Sequence, residues 1–127
     1  MLKILLATPQ QDRFEILQTE LTRLQPTRFS HAADGHTALE TVCKTAVDLV
    51  IADEDLGDMP GLELVRKLLG VNALINTVLV STESAENFHE RTEGLGILMP
   101  LPKNCGAAEA AGLTGVLRRL GMLNETG

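Results

Sequence analysis

The chain has 127 residues, of which 44% are hydrophobic and 22% charged, and its formal net charge is −6. This size and composition predict a single globular domain over residues 1–127 with an aliphatic core, because only 2% of the residues are aromatic. The acidic balance argues against a nucleic-acid-binding surface, which requires clustered positive charge.

The predicted elements alternate between strand and helix along the chain. A continuous apolar run at 4–7 predicts a buried first strand, and apolar residues at helical spacing predict a helix over 10–24. The more polar segment 28–33 predicts a second strand at a sheet edge, followed by a helix after the turn at 34–35. The run 48–53 predicts a buried third strand, and a third helix is expected to begin near 60–61.

The second half of the chain continues the same alternation. Residues 76–81 and 97–101 predict strands four and five, with a helix over 83–91 between them. The last helix is marked by apolar residues at i, i+3, i+4 and i+7, which are Leu113, Val116, Leu117 and Leu120. Together these elements predict an α/β fold, a doubly wound five-stranded parallel sheet with helices on both faces.

Polar residues follow four of the five predicted strands at the point where each strand ends. They are Thr8 and Pro9 after strand one, Asp53 after strand three, Ser81 after strand four and Lys103 after strand five. In open parallel sheets the carboxyl ends of the strands border the crevice where ligands bind. These positions are therefore expected to converge on one edge of the sheet.

This combination gives the chain a family resemblance over essentially its whole length. An apolar strand ending in aspartate, a glycine eight residues later, a hydroxyl residue and then a lysine are found here as Asp53, Gly61, Ser81 and Lys103. With these residues the chain resembles the receiver domains of two-component response regulators. The resemblance implies a flavodoxin-like sheet of order 2-1-3-4-5. It also implies that Asp53 is the phosphoacceptor position for a histidine kinase, with Ser81 as the switch hydroxyl and Lys103 as the phosphate-contacting amine.

The chain departs from the receiver pattern at the metal site. Receivers hold Mg²⁺ partly through an acidic pair at the end of strand one, where this chain has Thr8 and Pro9. Neither residue supplies an anionic oxygen, and Mg²⁺ binds through carboxylates in addition to phosphate oxygens and water. We therefore expect no resident cofactor, impaired phosphorylation and at most weak Mg²⁺ binding through Asp53, Glu54 or Asp55.

Two further substitutions affect the switch that the resemblance implies. Receivers often carry an aromatic residue three positions before the lysine and a proline directly after it, and this chain has Pro100 and Asn104 there. Proline offers no rotamer change, and its presence indicates that strand five lies at a sheet edge. In place of the metal, we expect an ion pair between Asp53 and Lys103 that holds one conformation.

The candidate residues also have ordinary structural interpretations. Ser81 can cap the helix that follows it, Lys103 can be a solvated lysine, and Thr8 is either a turn residue or a hydroxyl contact at the site. Its position directly after a buried strand favours the site interpretation for Lys103, both roles can hold together for Ser81, and a turn residue before Pro9 is the favoured interpretation of Thr8. The histidines show no metal spacing and are expected at the surface or a sheet edge: His31, His36 and His89.

The sequence therefore predicts a degenerate receiver-like domain that acts as a protein–protein interaction module in phosphorelay signalling and not as an enzyme. One alternative is a working receiver that accepts a phosphoryl group on Asp53, with Glu54 or Asp55 helping to bind Mg²⁺. Another is a small flavodoxin-like enzyme or nucleotide binder. We disfavour the last because no glycine-rich phosphate loop follows strand one.

The expected partners are signalling proteins, either a histidine kinase or an output protein, with no contact to nucleic acid or membrane. The resemblance implies that a homodimer would use a face built from helix four, strand five and helix five. No apolar run reaches the length of a membrane span, and Cys43 and Cys105 match no metal or redox spacing. These features predict a cytoplasmic protein with reduced thiols.

Overall fold

A computed structural model of the chain describes residues 1–122. The elements in chain order are β1 (Leu2–Ala7), a 3₁₀ turn (Gln11–Phe14), α1 (Glu15–Leu24), β2 (Thr27–Ala32), α2 (Gly35–Lys44), β3 (Leu49–Ala52), α3 (Gly61–Val71), β4 (Asn76–Val80), α4 (Ala85–Thr92), β5 (Ile97–Leu101) and α5 (Ala107–Arg119). The predicted alternation of strand and helix is confirmed.

The sheet is parallel throughout, and its strand order is β2-β1-β3-β4-β5. This is the flavodoxin-like order, and it places β2 and β5 at the two edges as the sequence predicts. Pro100 lies in β5, where it pairs with Leu79 after an irregularity in the register of β4 and β5. Proline has no N–H to donate to a ladder, so an edge strand is where a sheet tolerates it.

Two aliphatic layers cover the sheet, one on each face. Strand β3 is buried on both sides, with Leu49 and Ile51 in one layer and Val50 and Ala52 in the other. Helices α1 and α5 contribute to the first layer, and α2, α3 and α4 to the second. The predicted doubly wound arrangement is therefore confirmed. Because helices cover both faces, the carboxyl ends of the strands are the side of the sheet left open, and we call this side the edge formed by the carboxyl ends of the strands.

Gly61 allows α3 to begin directly against the end of β3. Its N–H donates to the Glu54 carbonyl at 2.9 Å. A Cβ atom at this position would overlap the Asp53 carbonyl oxygen and lie 2.8 Å from Leu79 Cδ1. The glycine is therefore required by this close approach and not by an unusual backbone angle.

Asp58 fastens the loop after β3 to the start of α2. Its two carboxylate oxygens accept the backbone N–H groups of Gly35 and His36, each at 2.9 Å. These two hydrogen bonds are the main reason that the pKa of the Asp58 carboxyl lies below its ordinary value of 3.8. A negative charge at a helix N-terminus is also favoured by the helix dipole.

Asp58→Asn is expected to lower the melting temperature near neutral pH, because the amide has no charge and only one acceptor oxygen. The folded-state pKa lies below the unfolded one, so the stabilisation is complete above about pH 4 and is lost as the pH falls through the folded pKa. Melting curves of the wild type and the variant should therefore converge on acidification. Glu90→Gln removes an exposed carboxylate from α4 and serves as the control. A difference that persists unchanged down to about pH 2 would contradict a role for the charge.

Candidate functional site

Asp53 lies at the centre of the edge formed by the carboxyl ends of the strands. It directly follows β3, is 3% exposed, and its N–H donates to the Ala7 carbonyl of β1 at 2.9 Å. The cleft beside it has a volume of about 480 Å³ and is lined by Pro9, Gln10, Arg13, Asp53, Glu54, Asp55, Gly57 and Lys103. The structure thus brings together the predicted residues that follow strands one, three and five.

The Asp53 carboxylate is occupied by hydrogen-bond donors on both oxygens. Oδ2 accepts the Thr8 hydroxyl at 2.6 Å and also the Nη2 group of Arg13. Oδ1 accepts the Glu54 N–H at 2.8 Å. Thr8 is fully buried, and its hydroxyl oxygen in turn accepts the Gln10 N–H at 3.0 Å. The Thr8 hydroxyl thus contacts Asp53 and also accepts a hydrogen bond within the turn that follows β1.

Arg13 connects three separate parts of this edge. Its Nε donates to Gln10 Oε1 at 2.9 Å, its Nη1 donates to the Lys103 carbonyl at 3.0 Å, and its Nη2 pairs with Asp53. The guanidinium carbon lies 5.1 Å from the centre of the Phe14 ring, a cation–π distance. The side chain is 23% exposed, so solvent screens this ion pair only in part.

The predicted ion pair between Asp53 and Lys103 is wrong. Within residues 1–122, Asp53 pairs with Arg13, whereas Lys103 is exposed and offers its backbone carbonyl to the same guanidinium. The physical reason is that a guanidinium is planar, carries five N–H donors and is weakly hydrated, so it satisfies a carboxylate and a carbonyl together. A lysine ammonium is more strongly hydrated and stays in solvent at lower cost.

Ser81 lies beside the Asp53 cleft and does not cap the next helix. Its hydroxyl oxygen accepts the Glu83 N–H at 3.1 Å, whereas the N-cap of α4 is Ser84, which accepts the Asn87 N–H at 3.2 Å. The helix-cap alternative for Ser81 is therefore wrong. Ser81 lines an adjacent cleft of about 350 Å³ between the start of α3, the loop after β4 and the end of α4, to which Glu54 also contributes.

Glu54 and Asp55, the two additional candidates for binding metal, line the cleft, but their carboxylates accept hydrogen bonds from other loop residues. The Glu54 carboxylate accepts the Thr82 N–H at 2.7 Å and the Thr82 hydroxyl at 3.0 Å, which links the loops after β3 and β4. Asp55 Oδ1 accepts the Gly57 N–H at 2.9 Å. Residues 1–122 contain no group of three His, Cys, Asp or Glu side chains placed to hold a metal ion. The side chains around Asp53 therefore do not form a set of ligands that fits Mg²⁺.

The histidines and cysteines lie outside the cleft. His36 on α2 and His89 on α4 are exposed, as predicted, and His31 on the edge strand β2 places its Nε2 2.9 Å from the Thr8 carbonyl. Cys43 is exposed and Cys105 is buried, and both are free thiols. Burial raises the pKa of the Cys105 thiol, which makes it a poor nucleophile.

The fold and this edge define a class of protein, a flavodoxin-like α/β domain with one buried aspartate at the carboxyl end of its central strands. The family model of the response regulator receiver domain matches residues 4–112. The chain belongs to the response regulator receiver domain family and is a receiver domain of two-component signalling. No curated protein matches it with significant sequence similarity.

Solved receiver structures share the fold at low sequence identity. The chemotaxis response regulator CheY4 of Vibrio cholerae is 22% identical with a TM-score of 0.79, over 92% of this chain and 99% of that one. The signal receiver domain of a histidine kinase from Syntrophus aciditrophicus is 25% identical with a TM-score of 0.76, over 100% and 96%. The signal receiver domain of an HD domain-containing protein from Pseudomonas fluorescens Pf-5 is 24% identical with a TM-score of 0.77, over 94% and 89%.

These comparisons establish the fold and the family, whereas the chemistry of this member depends on its own residues. In the part of the chain that the structure describes, no helix has the length and apolar character needed to cross a membrane.

Proposed function

We propose that this chain is a degenerate receiver domain that acts as a protein–protein interaction module and does not undergo Mg²⁺-dependent phosphorylation on Asp53. The observation that supports the proposal is the environment of the Asp53 carboxylate. Where receivers place an acidic pair for the metal, this chain places the Thr8 hydroxyl, which donates to Asp53 Oδ2 at 2.6 Å. A hydrogen-bond donor at this position occupies the Asp53 oxygen that Mg²⁺ would need as a ligand.

The electrostatics of phosphoryl transfer supply the physical argument. The transferring group carries negative charge on its oxygens, and catalysis depends on cations positioned to neutralise that charge. Mg²⁺ demands near-octahedral oxygen ligation and dehydrates reluctantly, so it needs carboxylates that are free to bind it. Glu54 and Asp55 accept hydrogen bonds from Thr82 and Gly57, and Asp53 is already paired. Arg13 is engaged by Asp53, and Lys103 is a single monovalent cation at the cleft, which is insufficient for the phosphate without the metal.

The residue at the position of the switch aromatic also supports this proposal. Pro100 is exposed on the edge strand β5, in the position where the resemblance implies an aromatic side chain that changes rotamer. Because the proline ring is fixed to the backbone, the side chain of residue 100 cannot change between an inward and an outward rotamer. We propose that the domain presents one binding surface constitutively to a histidine kinase or an output protein. The homodimer face formed by α4, β5 and α5 remains a prediction, as does a single domain over residues 1–127.

The proposal predicts that no phosphoryl group is added when the protein is incubated with a small-molecule phosphodonor and Mg²⁺. Intact-mass measurement with and without Mg²⁺ checks this outcome directly. Asp53→Asn is run in parallel, because it separates modification of Asp53 from modification elsewhere. A receiver with an intact acidic pair shows that the phosphodonor is active under the same conditions.

One added phosphoryl group that requires both Mg²⁺ and Asp53 would overturn the proposal and make the chain a working phosphorylation switch. An addition that survives in Asp53→Asn would identify a different acceptor and leave Asp53 unmodified. A melting curve of the same sample confirms that an absence of modification is measured on folded protein.

A further inference from the structure

We infer that Arg13 is a built-in cation that takes the place of Mg²⁺ beside Asp53 and holds the edge of the sheet in one arrangement. This role rests on the proposed function and deepens it, because it names the residue that makes the site independent of metal. It is separate from the missing acidic pair, since Arg13 lies five residues beyond Thr8, in the 3₁₀ turn before α1.

The contacts of Arg13 are those of a structural cation. The Asp53 side chain is 5% exposed, and a buried charge is costly unless it is paired. Arg13 supplies that pairing, and it also binds Gln10 and the Lys103 carbonyl. One side chain thereby joins the loop after β1, the end of β3 and the loop after β5.

The guanidinium is fixed independently of its bond to Asp53. It lies 5.1 Å from the centre of the Phe14 ring, and Phe14 is itself fully buried in the first aliphatic layer. The hydrogen bonds to Gln10 and Lys103 restrain the remaining two sides of the group. Arg13 is therefore preorganised toward Asp53 and does not depend on the carboxylate alone for its position.

A metal ion and this guanidinium compete for the same carboxylate. Oδ2 of Asp53 accepts Arg13 and Thr8, so Mg²⁺ would have to displace both donors or lie within a few ångströms of a fixed positive charge. Restoring carboxylates at residues 8 and 9 would remove only the Thr8 donor. The structure therefore assigns two obstacles to metal binding, the absent acidic pair and the resident Arg13.

A comparison of four proteins separates these obstacles, with Mg²⁺ alone as the ligand and calorimetric titration as the measurement. They are the wild type, Arg13→Gln, the pair variant (Thr8→Asp with Pro9→Asp) and the triple variant that combines all three changes. The wild type and Arg13→Gln should show no saturable binding in the millimolar range. The triple variant should bind Mg²⁺ at least about tenfold more tightly than the pair variant, because removing Arg13 removes the competing charge.

Arg23→Gln in the pair-variant background is the matched control. Arg23 is an exposed arginine on α1 whose ion pair is with Glu20, so this change removes the same charge away from the cleft. It should leave the Mg²⁺ affinity of the pair variant unchanged. If the triple variant does not fold, Arg13→Met in the pair-variant background gives the same test, since the flexible methionine side chain removes the charge and can still contact the Phe14 ring.

Equal Mg²⁺ affinity of the pair and triple variants would overturn the role of Arg13. In that case a wild type that neither binds Mg²⁺ nor accepts a phosphoryl group leaves the proposed function standing. Saturable binding and Asp53 phosphorylation in the wild type would instead overturn the proposed function. The two failures therefore give different results in the same set of proteins.

Discussion

Gly61→Ala is expected to destabilise the fold by about 3 kcal/mol or more, a large effect for one added methyl group. The new Cβ would overlap the Asp53 carbonyl oxygen and come within 2.8 Å of Leu79 Cδ1. The carbonyl belongs to the backbone at the end of β3, so it cannot move aside as a side chain does. Relief of the overlap requires α3 to shift away from the sheet, which opens the second aliphatic layer. Denaturant unfolding curves measure the loss.

Gly70→Ala is the matched control, because it adds the same methyl group to the same helix. A Cβ at Gly70 has no neighbouring atom within 4 Å, and the position lies inside α3. Alanine has the higher helix propensity, so this change should stabilise the protein by about 0.5–1 kcal/mol. Stability of Gly61→Ala within about 0.5 kcal/mol of the wild type would show that α3 can reposition freely.

The positions of the strands follow from local hydrophobicity, which explains why they could be predicted. Strand β5 has the predicted bounds, and β3 was predicted as 48–53 and is Leu49–Ala52. A continuous apolar run has few alternatives to a strand covered on both faces. The helix predicted over 10–24 instead divides into a 3₁₀ turn (Gln11–Phe14) and α1. Apolar spacing does not distinguish these two, since Phe14 faces the core in either conformation.

The site could be predicted as far as backbone topology determines it. Parallel strands bring their carboxyl ends to one edge, so Pro9, Asp53 and Lys103 line one cleft. The choice of partners depends on loop paths and rotamers, which no spacing rule determines. One physical signal could have identified Arg13 in place of Lys103, because a buried carboxylate without a metal needs a cation and Arg13 is the first cation after β1. The hydrogen bonds between Glu54 and Thr82 have no comparable signal in the sequence, since both are ordinary loop residues.

A double-mutant cycle on Arg13 and Asp53 is expected to give a coupling free energy of about 1–3 kcal/mol. Arg13→Gln should lower the free energy of unfolding by about 2 kcal/mol, because it leaves a buried carboxylate without its counter-charge. Asp53→Asn should also destabilise, since it weakens the acceptors for Thr8 and Arg13. The double variant should lose less than the sum of the two, because no charge remains to be compensated. Denaturant unfolding of the four proteins measures each value.

The pair between Arg23 and Glu20 on α1 provides the reference for an exposed interaction. Their side chains are 65% and 24% exposed, and a surface pair at this spacing is worth only about 0.2–0.5 kcal/mol. A coupling for Arg13 and Asp53 no larger than this would mean that Thr8 and the Glu54 N–H satisfy the carboxylate alone. The two pairs should also differ in salt, since ions screen a surface pair far more than a partly buried one. A coupling free energy for Arg13 and Asp53 that persists at high ionic strength would therefore show that the guanidinium is a fixed part of the site. The coupling of a solvated surface arginine would be lost under the same conditions.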